Sequence, residues 1–225
     1  MMREHHLPVS RTARYYALGD PRGPLREVWF VCHGYGQLAA RFLRHFETLD
    51  TGDRLIIAPE ALSRFYIEPA SGGTHAHAAV GASWMTREDR LSEIDDYIRY
   101  LDALYAQVFQ EVPRDAVRVV VLGFSQGVAT VSRWLARGTS RADRLVLWGS
   151  VLPHDLDLET NGAALRRLEL VVVAGEHDEL TTPAMLAEQA ERLARSEIAH
   201  RLVRYAGGHR IERDTLAALA AEHGA

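Results

Sequence analysis

The stretch Val119–Gly138, VVVLGFSQGVATVSRWLARG, decides how this chain folds. A β-branched apolar run, Val117–Leu122, leads without a break into Gly123-Phe124-Ser125-Gln126-Gly127, and a helix-like segment follows to Gly138. The apolar run predicts a strand buried on both faces of a parallel sheet, and Gly138 is a natural helix terminator. Gly-x-Ser-x-Gly by itself is weak, since chance supplies it in roughly one chain in fifteen of this length. Its position between a buried strand and a helix is what strengthens it. There the flanking glycines admit a tight turn that forces Ser125 into an unfavourable φ/ψ region and presents its Oγ at the positive end of a helix.

Working outward, short β-rich runs alternate with helical ones along almost the whole chain. Strands are expected at Arg14–Leu18, Val28–Cys32, Leu55–Ala58, Arg144–Trp148, Leu170–Ala174 and Arg201–Tyr205. Helices are expected at Leu38–Leu49, Pro183–Leu193 and Ile211–Ala221. The clearest amphipathic pattern runs from 91 to 108, with Leu91, Ile94, Ile98, Leu101, Tyr105 and Val108 at three- and four-residue steps. This alternation predicts one α/β domain over residues 1–225, a mostly parallel sheet flanked by helices.

Residues 59–88, PEALSRFYIEPASGGTHAHAAVGASWMTRE, show no sustained period. A connection of this length is functional or misread, and it leaves the carboxyl side of a strand, where open α/β sheets bind ligands. Phe65, Tyr66 and Trp84 are therefore candidate substrate contacts; the other reading is a surface loop whose aromatics cover the core. Exposed apolar surface expected near Trp84 would serve substrate entry or a homodimer.

Composition narrows the chemistry. The 225 residues are 47% hydrophobic and 25% charged, with net charge −4 from 26 basic and 30 acidic residues. Nothing here favours nucleic acid, and the arginines are scattered. No apolar run is long enough for a signal peptide or a bilayer span, and the single Cys32 cannot form an internal disulfide. A cytoplasmic protein without integral membrane association is expected. The chain contains no lysine, which excludes a Ser–Lys dyad, a lysine Schiff base and a Walker-type P-loop. Histidine must supply any base that works near neutrality.

Of eleven histidines, His209 is best placed, in Ala206-Gly207-Gly208-His209 after the last expected strand. His33 ends an early strand and reads as structural; His5, His6, His200 and His223 read as solvated. His75 and His77 stand two apart on a loop without further ligand spacing, and no metal or cofactor is expected. For the orienting acid, Asp178 follows the strand ending at Ala174, its competing reading being a cap for the helix beginning Thr-Thr-Pro. Asp155 and Asp157 are the alternatives. Ser125, Asp178, His209 is the chain order of α/β-hydrolases. Two backbone N–H groups would hold an oxyanion: Gln126, from the elbow, and Tyr35, from the glycine-rich loop Cys32-His33-Gly34-Tyr35-Gly36-Gln37.

These pieces together resemble the phospholipase/carboxylesterase family of α/β-hydrolases, which includes bacterial carboxylesterases and acyl-protein thioesterases. His33-Gly34-Tyr35-Gly36 matches the family's oxyanion loop and Gly123-Phe124-Ser125-Gln126-Gly127 its elbow. Leu147-Trp148-Gly149-Ser150 with Pro153 is similar to its Ser-Gly-x-x-Pro strand end, and Gly175-x-x-Asp178 and Gly208-His209 match its acid and base positions. Two places depart from the pattern. Ala82-Ser83-Trp84-Met85-Thr86 stands where the family carries Trp-Phe-Asp, and the spacing from Asp178 to Pro183 is altered. The resemblance implies a minimal fold with no large lid domain and a cofactor-free serine hydrolase of small-molecule esters. Acyl thioesters and lysophospholipids are alternative substrates for the same three residues. A scaffold that binds a small molecule without turnover is the alternative of another class.

Overall fold

The structure is a computed structural model that describes residues 1–67 and 78–222. His75, His77 and His223 lie outside the described residues, as does the middle of the 59–88 segment. Nine strands and six helices occur among the described residues. The strands are β1 (Tyr15–Leu18), β2 (Glu27–Cys32), β3 (Arg54–Pro59), β4 (Ser63–Tyr66), β5 (Val80–Ser83), β6 (Arg118–Phe124), β7 (Arg144–Trp148), β8 (Glu169–Gly175) and β9 (His200–Tyr205). The helices are α1 (Ala39–Leu43), α2 (Arg90–Glu111), α3 (Gln126–Arg137), α4 (Leu158–Leu165), α5 (Pro183–Arg195) and α6 (Arg213–Ala221).

Seven strands form one sheet in the order β1-β3-β2-β6-β7-β8-β9, parallel throughout except for β1, which pairs antiparallel with β3. This is the α/β-hydrolase fold. Period-two alternation divides the central strands between two cores, as expected when both faces are covered. Val119 and Val121 of β6 enter the core shared with α2, α3 and α5, whereas Val120, Leu122 and Phe124 enter the one shared with α1 and α6. No described helix is long and apolar enough to cross a membrane.

Four expectations are corrected. Residues 63–66 and 80–83, read as aperiodic, pair as an antiparallel two-stranded sheet, with Phe65 opposite Gly81. The pattern is hidden because each strand is only four residues long, β5 is built mostly of small residues, and each strand is held by a partner outside itself. Helix α4 is not anticipated by the sequence; it begins where Asp157 accepts from the Glu159 and Thr160 amides, a cap followed by a short sequence with little helical amphipathicity. The expected helix Leu38–Leu49 tightens into a 3-10 turn at Arg44–Leu49. Leu91, placed on the apolar stripe of α2, is 67% exposed, because the buried face begins a turn later at Ile94.

Candidate active site

The elbow is built by sterics. β6 ends at Phe124, α3 starts at Gln126, and Ser125 between them has φ 54° and ψ −117°. A non-glycine residue in this region carries strain of about 1–3 kcal/mol, sustained only where its surroundings impose it. They do so here: the Ser125 N–H donates to Trp148 O (2.9 Å), and Ser125 O accepts from the Val128 N–H (2.9 Å). The two glycines have no room for a side chain. A Cβ on Gly123 would stand 2.4 Å from Gly127 O, and one on Gly127 would stand 2.2 Å from Cys32 O. Ser125 is half-buried at the N-terminus of a twelve-residue helix, where negative charge is favoured.

Asp178 follows β8 on a turn closed by its own N–H to Gly175 O (3.2 Å). Its side chain is fully buried, and both oxygens are engaged. Oδ1 accepts from the Leu180 and Thr181 amides at 2.9 and 3.0 Å, and Oδ2 lies 2.8 Å from His209 Nδ1. The cap of α5 is instead Thr182, which accepts from the Met185 N–H. Asp178 is therefore free of the capping role. Asp155 and Asp157 are committed elsewhere: Asp155 pairs with Arg133 (2.6 Å) and Arg90 (2.7 Å), and Asp157 caps α4.

His209 leaves β9 on a loop held from several sides. Gly207 O accepts from the His177 N–H (2.9 Å), and Arg210 O accepts from Trp148 Nε1–H (2.9 Å). The Tyr205 hydroxyl lies 2.7 Å from both Gly208 O and Arg210 O. The imidazole packs on the Phe124 ring at 4.9 Å and over Gly149, whose φ is +65°. A Cβ at Gly149 would come within 3.2 Å of that imidazole. Phe124, the residue before Ser125, thus links His209 to the elbow. Ser125 Oγ makes no hydrogen bond among the described residues; such bonds commonly close only around substrate.

The loop Cys32–Gln37 lies against the elbow: a Cβ on Gly34 would be 3.2 Å from Ser125 Cβ. Tyr35 N–H has no acceptor among the described residues, and Gln126 N–H heads α3, where no intrahelical acceptor exists. The loop is tied to β5 by Gly36 N–H to Ala82 O (2.9 Å) and Ala82 N–H to Gln37 O (3.2 Å). Cys32 is fully buried and its thiol is pushed well up by burial, so it is not an accessible nucleophile.

The three aromatic candidates separate. Phe65 is half-buried and stacks on Tyr35 at 5.2 Å, beside the loop. Tyr66 alternates to the other face of β4 and is 51% exposed. Trp84 is only 2% exposed, and its Nε1–H donates to His33 O (2.8 Å). Trp84 therefore contributes no exposed apolar surface of its own: the indole is turned inward as support for the loop.

One residue does more than its backbone suggested. The Gln126 carboxamide accepts from Trp84 N–H (3.0 Å) and donates to Met85 O (2.8 Å) and Ser83 Oγ (3.2 Å), clamping residues 83–85 to the elbow. The only available signal was a residue with both a donor and an acceptor placed directly after the serine. Among the described residues the one trio with metal-ligand spacing is Glu4, His6 and Asp89, all exposed and outside this grouping.

Comparison with known proteins agrees with this architecture. No curated protein sequence matches the chain. Among solved structures, the chain is similar to esterase PE8, with TM-score 0.70, 20% identity, and 94% of this chain and 97% of that one covered. It is similar to Zea mays acyl-protein thioesterase 2, with TM-score 0.68, 16% identity and coverage of 93% and 96%. It is also similar to the Bacillus cereus carboxylesterase, with TM-score 0.66, 14% identity and 92% of both chains covered. At these identities the likeness shows the shared fold. The sequence model of the phospholipase/carboxylesterase family matches residues 15–222, nearly the full length, and the chain belongs to that family.

Proposed function

We propose that this protein is a serine hydrolase that cleaves small-molecule carboxylic esters through an acyl-enzyme. Ser125 Oγ attacks the acyl carbonyl carbon while His209 Nε2 takes its proton. Asp178 Oδ2, against Nδ1–H, fixes the imidazole orientation and stabilises the imidazolium that forms. The Tyr35 and Gln126 N–H groups hold the tetrahedral oxyanion. The alkoxide leaves with the proton from His209, and water activated by the same imidazole then releases the acid and regenerates Ser125.

The observation that carries this reading is the 2.8 Å contact from His209 Nδ1 to a fully buried carboxylate, beside a serine held at φ 54°. A scaffold that merely binds has no need of this strain or of this buried acid. The Tyr35–Phe65 stack offers an apolar wall next to the oxyanion groups, which suits an ester with an apolar chain.

The test is a panel of p-nitrophenyl esters, acyl thioesters and lysolipids graded by chain length, with fluorophosphonate labelling of Ser125. Turnover and labelling that vanish together in Ser125→Ala are expected. A wild-type protein that turns over no member and takes no label overturns the reading; a preference for thioesters or lysolipids would redirect the same chemistry to those substrates.

A further inference from the structure

His33 is fully buried at the end of β2, and both of its ring nitrogens are used. Nε2 lies 3.1 Å from the Ala61 amide nitrogen, and Nδ1 lies 2.8 Å from Gly34 O. The Ala61 amide is a donor only, so Nε2 must be bare. Gly34 O is an acceptor only, so Nδ1 must carry the proton. The partners thus dictate the tautomer; the other neutral form would set N–H against N–H at Ala61 and lone pair against lone pair at Gly34. Burial also pushes this imidazole below its ordinary pKa, favouring the neutral ring.

The bond to Gly34 O has a geometric consequence. Gly34 C=O and Tyr35 N–H belong to one peptide unit, and no described peptide bond is cis. In a trans peptide these two groups point in opposite directions. Holding the carbonyl toward the His33 ring therefore turns the Tyr35 N–H away from it. That N–H has no acceptor among the described residues, and its peptide borders Ser125. Gly34 O also accepts from Gln37 N–H, but at 3.2 Å, the longer of its two bonds. The ring itself is held by Trp84, whose indole packs on it at 5.2 Å and bonds His33 O. Trp84 N–H is in turn bound by the Gln126 carboxamide.

We propose that His33 is a positioning residue for the oxyanion: its imidazole, as the Nδ1–H tautomer, locks the Gly34–Tyr35 peptide so that the Tyr35 N–H faces the reacting carbonyl at Ser125. The role of that N–H rests on the ester-hydrolase reading; the lock rests on the hydrogen bonds of His33 alone. Because the contact to the oxyanion is made only as negative charge develops, loss of the lock should lower kcat and spare KM.

The experiment compares His33→Leu, which removes both ring bonds, with His33→Asn, whose side-chain amide can still donate to Gly34 O. For His33→Leu, kcat on a p-nitrophenyl ester falls by about 10- to 100-fold, short of the 10²–10³ expected for outright loss of a donor. KM is unchanged, and affinity for a trifluoromethyl ketone, which forms a tetrahedral adduct with Ser125, falls by the same factor. His33→Asn recovers most of both losses. A rise in KM with kcat intact, or an Asn variant no better than a folded Leu variant, overturns the proposal. If neither variant folds, nitrogen-15 NMR of wild-type His33 decides: a protonated Nδ1 with bare Nε2 supports the lock, and the reverse tautomer overturns it. Wild-type protein without esterase activity or ketone binding, but with the stated tautomer, marks failure of the hydrolase reading instead.

Discussion

Asp178 divides its carboxylate between two tasks: Oδ2 meets His209 Nδ1 at 2.8 Å, while Oδ1 holds the Leu180 and Thr181 amides. The loop bonds hold the carboxylate in place, so the His209 ring meets an acceptor that is already oriented. The same two amides are why the side chain can be fully buried and remain an acceptor.

Asp178→Asn separates these tasks. The amide oxygen can keep the loop bonds, but the amide nitrogen presents a donor to His209 Nδ1 and selects the wrong tautomer. A fall of about 10³- to 10⁴-fold in kcat for ester hydrolysis is expected, with little change in the unfolding midpoint. A loss of activity that merely tracks loss of folded protein would contradict this assignment.

Gly149→Ala tests the packing beneath the base. The backbone has φ +65° and the added methyl would press on the His209 ring at 3.2 Å. Destabilisation of about 1–2 kcal/mol from the left-handed backbone is expected in urea unfolding. Activity should fall by more than that stability change explains, because the imidazole must shift from Phe124.

Gln126→Glu keeps the shape of the side chain and removes both of its donors. A carboxylate would then face Met85 O and Ser83 Oγ, where the amide now donates. Thermal unfolding should show a loss of about 1–3 kcal/mol from the unpaired Met85 carbonyl and its new neighbour. Gln126→Met, which places no charge there, should lose less.

The Asp155 carboxyl responds to acid in a definite direction. Burial alone would raise its pKa, but the hydrogen bonds from Arg133 and Arg90 and their charges lower it to about 2. A depressed folded-state pKa means the stabilisation is complete above the ordinary carboxyl range near 4 and is lost as pH falls toward 2. The stability gap between wild type and Asp155→Asn, measured by urea unfolding, should therefore be constant above pH ~5 and narrow between about pH 4 and 2. A gap that does not change over that range would mean the arginines stabilise the side chain equally in either charge state.

Much of the fold was legible because its signals are local. The apolar runs of β6, β7 and β8 and the three- and four-residue spacing of α2 follow from periodicity within a single segment. The β4–β5 pair was not, since its four-residue strands make sense only against each other and the Cys32–Gln37 loop. Trp84 illustrates the same limit. An aromatic residue in an aperiodic stretch can cap a pocket or fill a core, and only its bond to His33 O, 51 positions away in the chain, distinguishes them.

Sequence alone determined the elbow, because Gly123 and Gly127 state in residue type that nothing larger fits around Ser125. It also determined the order Ser125, Asp178, His209 beyond the ends of β6, β8 and β9, because strand periodicity and turn residues are written into neighbouring positions. Tertiary structure decided which acid faces His209, which way Trp84 turns, what the Gln126 carboxamide clamps and which nitrogen of His33 carries the proton. Each of these depends on a hydrogen-bonding partner brought from a distant part of the chain, and a residue's donor or acceptor role is settled only by the group placed opposite it.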